Sequence, residues 1–112
     1  MSMPKTAAVV HPDPKTRVAL RSTLESLGCY VATAESCGDL LKGAPRLEPD
    51  LVLLDRSVLA REGTDWLTEL HRAWTEMETV FLPDGLNAPG IGALTGILDR
   101  LLGMTTRKEL LA

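Results

Sequence analysis

Leu51-Val52-Leu53-Leu54 is an unbroken apolar run that stops abruptly at Asp55. A strand with both faces apolar has both faces covered, as a central parallel strand flanked by helices does. Parallel neighbours need crossover connections, so the rest of the chain is expected to alternate strands with helices. The remaining segments follow that pattern. Ala7-Ala8-Val9-Val10 is a second short apolar run, stopped by His11-Pro12-Asp13-Pro14. Asp13 before Pro14 pairs a good N-cap with a residue suited to the first helical turn. Leu20, Leu24 and Leu27 then share one helical face, and Gly28 ends it. The expected helix runs from about Pro14 to Leu27.

Cys29 to Ala34 reads as a strand, and Ser36-Cys37-Gly38-Asp39 as a capping-box start to a short helix ending near Lys42. Gly63-Thr64-Asp65 is expected to open a further helix. Its apolar stripe is Trp66, Leu67, Leu70, Ala73, Trp74 and Met77. The two tryptophans are eight positions apart and are expected to pack in or near the core instead of forming a binding hot spot. Thr79 to Leu82 reads as the fourth strand, closed by Pro83, with a loop from Asp84 to Pro89. Pro89 is placed to begin a last helix carrying Ile91, Leu94, Ile97, Leu98, Leu101 and Leu102, weakened at Gly92 and Gly96. Residues 1–104 make one expected domain. Residues 105–112, with a capping-box pattern at Thr106-Arg107-Lys108-Glu109, read as a tail or the start of a linker helix.

At 112 residues and a net charge of −3, the chain suits a single globular domain, and its overall charge does not favour nucleic acid. No segment approaches the length of a membrane helix, and no apolar run follows Met1 as in a signal peptide. Cys29 and Cys37 match neither a zinc pair nor a redox CxxC and are expected to be reduced thiols. The expected location is the cytoplasm.

In an open parallel sheet the functional cleft lies at the carboxyl ends of the strands. There this chain places His11, Pro12 and Asp13, then Asp55, then Pro83 and Asp84. Clustered carboxylates at such an edge would favour a hard cation such as Mg²⁺, which makes Asp13 and Asp55 the candidate ligands. Each also has a structural reading: Asp13 as a cap, Asp55 as the end of a strand, Asp84 as part of a turn. No glycine-rich phosphate loop follows the first strand and no Ser-His-Asp or Cys-His set stands at the strand ends. A small enzyme or nucleotide-binding domain of flavodoxin-like shape is therefore disfavoured.

Two segments carry a resemblance. One is Val9-Val10-His11-Pro12-Asp13-Pro14-Lys15-Thr16-Arg17, followed by Leu20, Leu24 and Gly28. The other, more specific, is Pro49-Asp50-Leu51-Val52-Leu53-Leu54-Asp55 with Gly63 eight residues on. From about Thr6 to Leu82 the chain resembles a bacterial response-regulator receiver domain. The resemblance implies a doubly wound, flavodoxin-like parallel sheet and puts Asp55 at the phosphoacceptor position. It implies an acidic pair at the end of the first strand, which holds Mg²⁺ in the family; His11 and Pro12 stand there instead. It implies a Thr or Ser after the fourth strand, where Pro83 stands, and a Lys-Pro pair after a fifth strand, for which no counterpart exists. Leu59 replaces the usual proline of the phosphoacceptor loop. The family's fourth helix and fifth strand are expected to be shortened or remodelled.

These departures imply a degenerate member, or pseudo-receiver. It would be non-enzymatic and without a cofactor, working by contact with a protein partner. A homodimer through the strand-four and last-helix face is one such contact. Neither nucleic acid nor membrane is an expected partner. The alternative is a working phosphorelay receiver that uses Asp55, with Mg²⁺ held by Asp13 and Asp55.

Overall fold

The computed structural model describes residues 5–43, 47–83, 86 and 88–100. Four parallel strands form one sheet in the order β2-β1-β3-β4: β1 (Thr6–Val10), β2 (Tyr30–Ala34), β3 (Leu51–Leu54) and β4 (Glu78–Phe81). Between them lie α1 (Pro14–Ser26), α2 (Cys37–Gly43), α3 (Arg56–Glu62) and α4 (Asp65–Ala73). After β4 comes a 3₁₀ segment (Ala88–Leu94) that continues as α-helix over 95–100. The parallel sheet is what the alternating pattern predicts, and its doubly wound order is what the resemblance implies.

The sheet has a packed core on each face, because successive side chains of a strand point to opposite sides. Ala7, Val9, Leu51 and Leu53 join Leu20 and Leu24 of α1, with Leu82, Ile91 and Leu98. Ala8, Val10, Val52 and Leu54 join Cys37, Leu40, Val58, Leu70, Trp74 and Met77 on the other face. All four residues of β3 are buried, as a central strand requires. Trp74 is a core residue, and half-buried Trp66 packs against the same cluster. Both cysteines are free and buried. Among the described residues no helix is long and apolar enough to cross a membrane.

Asp13 caps α1 as expected, its side chain accepting from the Thr16 N–H. Gly28 follows α1 at φ +89°, where a side chain would be strained. Three local expectations need correction. Residues 56–62 form a helix that was not expected. Val58 and Leu59 are its only two buried residues and they are adjacent, so a seven-residue element shows no apolar period. The helix from Gly63 to Met77 is shorter, Asp65–Ala73, with Trp74 already non-helical at φ −131°, ψ 89°; Met77 reaches the core from beyond its end. The last helix opens as 3₁₀ through Leu94, in a stretch where Gly90 and Gly92 lower helix propensity.

Ile91 and Leu98 of the last helix are buried, while Ile97 is 52% exposed. Asp84, the linker-like tail, Leu101 and Leu102 lie outside the described residues. Among the described residues the sheet has four strands, and β4 is an edge.

Candidate functional site

Parallel register fixes what meets at the carboxyl edge. Val10 pairs with Ala34 on one side and Leu54 on the other, and Leu54 pairs with Phe81. The ladder then runs one residue past each strand. His11 N–H donates to the Ala34 carbonyl at 3.1 Å, Asp55 N–H to the Val10 carbonyl at 3.1 Å, and Leu82 N–H to the Leu54 carbonyl at 2.9 Å. His11 and Asp55 are thereby neighbours, 6% and 8% exposed. His11 Nε2 is 3.7 Å from Asp55 Oδ1. That is an electrostatic contact longer than a hydrogen bond.

The other atoms of both side chains are also engaged. His11 Nδ1 accepts the Asp13 N–H at 3.0 Å. Asp55 Oδ2 accepts the Ser57 N–H at 3.2 Å and also the Ser57 hydroxyl, capping α3. Arg17 braces the turn from α1: its Nη1 donates to the carbonyls of His11 at 2.6 Å and Pro12 at 3.2 Å. Arg56, next to Asp55, lies over the Phe81 ring at 5.5 Å, joining the β3 exit to the edge strand.

Asp13 sits differently. Its Oδ2 accepts both the Thr16 N–H at 3.1 Å and the Thr16 hydroxyl at 2.6 Å, at the start of α1. The Thr16 hydroxyl is the main cause of a carboxyl pKa held below its usual range; burial opposes it, and the Thr16 and Lys15 amides and His11 reinforce it. Pro12 offers no side-chain ligand, and Pro83 is exposed and has no hydroxyl. Among the described residues no three His, Cys, Asp or Glu side chains gather as a metal site.

Mg²⁺ needs several oxygen ligands in near-octahedral geometry. At the end of β1 this chain supplies an imidazole and a proline, and Asp13 is occupied as a helix cap. Among the described residues, Asp55 offers the anionic oxygen beside His11. This donor set does not suit a hard cation.

Sequence patterns did not assign functions to Ser57 or Arg17. Ser two residues after a strand-ending Asp is a recognisable local cap pattern, so Ser57 was findable. Arg17's bonds to the turn depend on α1 packing beside β1, which no local pattern announces.

The response regulator receiver domain model matches residues 7–88. This chain belongs to that family. Solved structures show the same fold. A response regulator from Thermotoga maritima aligns at TM-score 0.63 and 18% identity, over 96% of each chain. A CheY-like protein (tadZ) from Pseudomonas aeruginosa aligns at 0.59 and 21%, covering 88% of this chain and 94% of that one. A response regulator receiver modulated diguanylate cyclase from Pelobacter carbinolicus aligns at 0.59 and 16%, covering 94% and 97%. No curated protein matches.

Proposed function

We propose that this receiver is an atypical one, a signalling module that acts through protein–protein contact and is not phosphorylated by the Mg²⁺-dependent route. The observation that supports this most is the pairing of His11 with Asp55. An imidazole stands where the chemistry calls for an oxygen ligand to a hard cation, and Asp13, the other candidate carboxylate, is tied to Thr16. In phosphoryl transfer the ion neutralises charge on attacking and leaving oxygens, and few other groups at this edge could do so. Pro83 adds no hydroxyl to sense a phosphoryl group.

The contact surface fits the edge of the sheet. Among the described residues β4 pairs on one side only, with Phe81 38% exposed at its end. An edge strand with an exposed aromatic can pair with a second chain. A homodimer through β4 and the last helix is the arrangement we favour, with Ile97 adding apolar surface.

Phosphorylation is tested by incubating the chain with Mg²⁺ and acetyl phosphate and measuring intact mass. The expected result is an unchanged mass. A phosphoryl adduct on Asp55 would support a working phosphoacceptor and defeat the reading. The dimer is tested by sedimentation over a wide concentration range, with Phe81→Asp expected to weaken association. A strict monomer at high concentration rules it out.

A further inference from the structure

We propose that His11 takes the place of a cation in this receiver, its Nε2–H facing Asp55 and holding the carboxylate inside the fold without an ion. The proposal rests on the reading of the site given above. The tautomer carries the argument. A backbone N–H can point only at a ring nitrogen with a free lone pair, and the Asp13 N–H points at Nδ1 from 3.0 Å. In the neutral ring the proton therefore sits on Nε2, the atom that faces Asp55 Oδ1 at 3.7 Å.

The ring is held there by its backbone. His11 N–H is bonded to Ala34, and the His11 carbonyl is held by Arg17. Pro12 and Pro14 stiffen the turn that presents the Asp13 N–H. Asp55 is fixed from the other side by the Val10 carbonyl and by Ser57. Its two oxygens are divided, Oδ1 toward His11 and Oδ2 to Ser57. Both side chains are nearly closed to water, where a polar attraction is weakly screened. A Mg²⁺ ion placed between them, about 2.1 Å from Oδ1, would collide with the Nε2 proton. The same residue thus supplies the positive end of a dipole and fills the space of an ion.

The test has two parts. Long-range ¹H–¹⁵N spectra of the full chain labelled at histidine report which ring nitrogen carries the proton. His11 is expected as the Nε2–H tautomer, with its Nε2 resonance moving in Asp55→Asn. An Nδ1–H tautomer overturns the proposal. Mg²⁺ alone is then titrated into the native chain and into His11→Asp, following amide shifts. His11→Asp is expected to gain saturable shifts around Asp55 that the native chain lacks. A folded His11→Asp chain that ignores Mg²⁺ overturns the role of His11 and leaves the proposed function standing. A native chain that itself binds Mg²⁺ overturns both. If His11→Asp does not fold, the tautomer in the native chain decides alone.

Discussion

Glu62, the last residue of α3, accepts the backbone N–H of Cys37, the first residue of α2, at 3.0 Å. A second, longer bond from Gly38 reaches the other carboxylate oxygen at 3.5 Å. One side chain from a neighbouring helix thus adds to the local Ser36 cap of α2, whose hydroxyl accepts the Asp39 N–H at 3.0 Å. Glu62→Ala is expected to lower stability by about 1 kcal/mol, the usual worth of a lost cap. Denaturant unfolding checks this as a shifted midpoint at unchanged slope. Faster amide exchange confined to Cys37 and Gly38 would locate the effect.

The same contact bears on the thiol. Burial first, then the charge of Glu62 and its hydrogen bond, push the Cys37 pKa from 9.0 to about 12. Burial also raises Cys29, with Asp50 adding to it. Neutral, enclosed thiols are poor nucleophiles. Neither cysteine is expected to react with iodoacetamide in the folded chain at neutral pH, and both should react in denaturant. The sign for stability follows from linkage. In the unfolded chain Cys37 ionises above 9.0, while the folded chain keeps it neutral to about 12. Its contribution is full below 9.0 and is lost as pH rises from there toward 12.

Gly63 links α3 to α4 at φ +98°, ψ 150°, a conformation open almost only to glycine. A Cβ there meets nothing within 4 Å, so the strain is conformational and not steric crowding by neighbours. Gly63→Ala is expected to destabilise by about 1–3 kcal/mol. Gly43→Ala, where φ is not positive and a Cβ also meets nothing, is the control and should be close to neutral.

Asp13 has its pKa lowered, chiefly by the Thr16 hydroxyl. A depressed carboxyl stabilises the fold above its unfolded value of 3.8, and that contribution disappears as pH falls through the lower folded value. Asp13→Asn keeps a capping oxygen but removes the titration. Unfolding midpoints for the two chains are expected to converge on acidification through this range.

The carboxyl edge of the sheet was legible because strand ends are legible. The apolar run of β3 stopped at Asp55, that of β1 stopped at His11, and parallel order brought the two together. The helix after Asp55 is not legible, since its buried residues, Val58 and Leu59, are adjacent and give no apolar period. The facing of the His11 ring toward Asp55 could not be read either. It depends on the Asp13 N–H and on Arg17 reaching across from α1, contacts set by the turn and by packing.

Asp55 itself separates a structural part from a signalling one. Asp55→Ala removes the cap of α3 and the acceptor facing His11, and should cost about 1–2 kcal/mol. Asp55→Asn retains an acceptor for Ser57 and should fold nearly as well. If output depends on contact and not on phosphate, Asp55→Asn should also keep partner binding, measurable by calorimetry once a partner is in hand.

The most direct measurement is an amide NMR titration of the native chain with Mg²⁺ and then beryllofluoride, a phosphoryl mimic. The expected spectrum is unmoved by millimolar additions, with Asp55, Ser57 and His11 in place throughout. Saturable shifts centred on Asp55 and spreading to β4 and the last helix would contradict it, and would mean that this receiver still switches by phosphate.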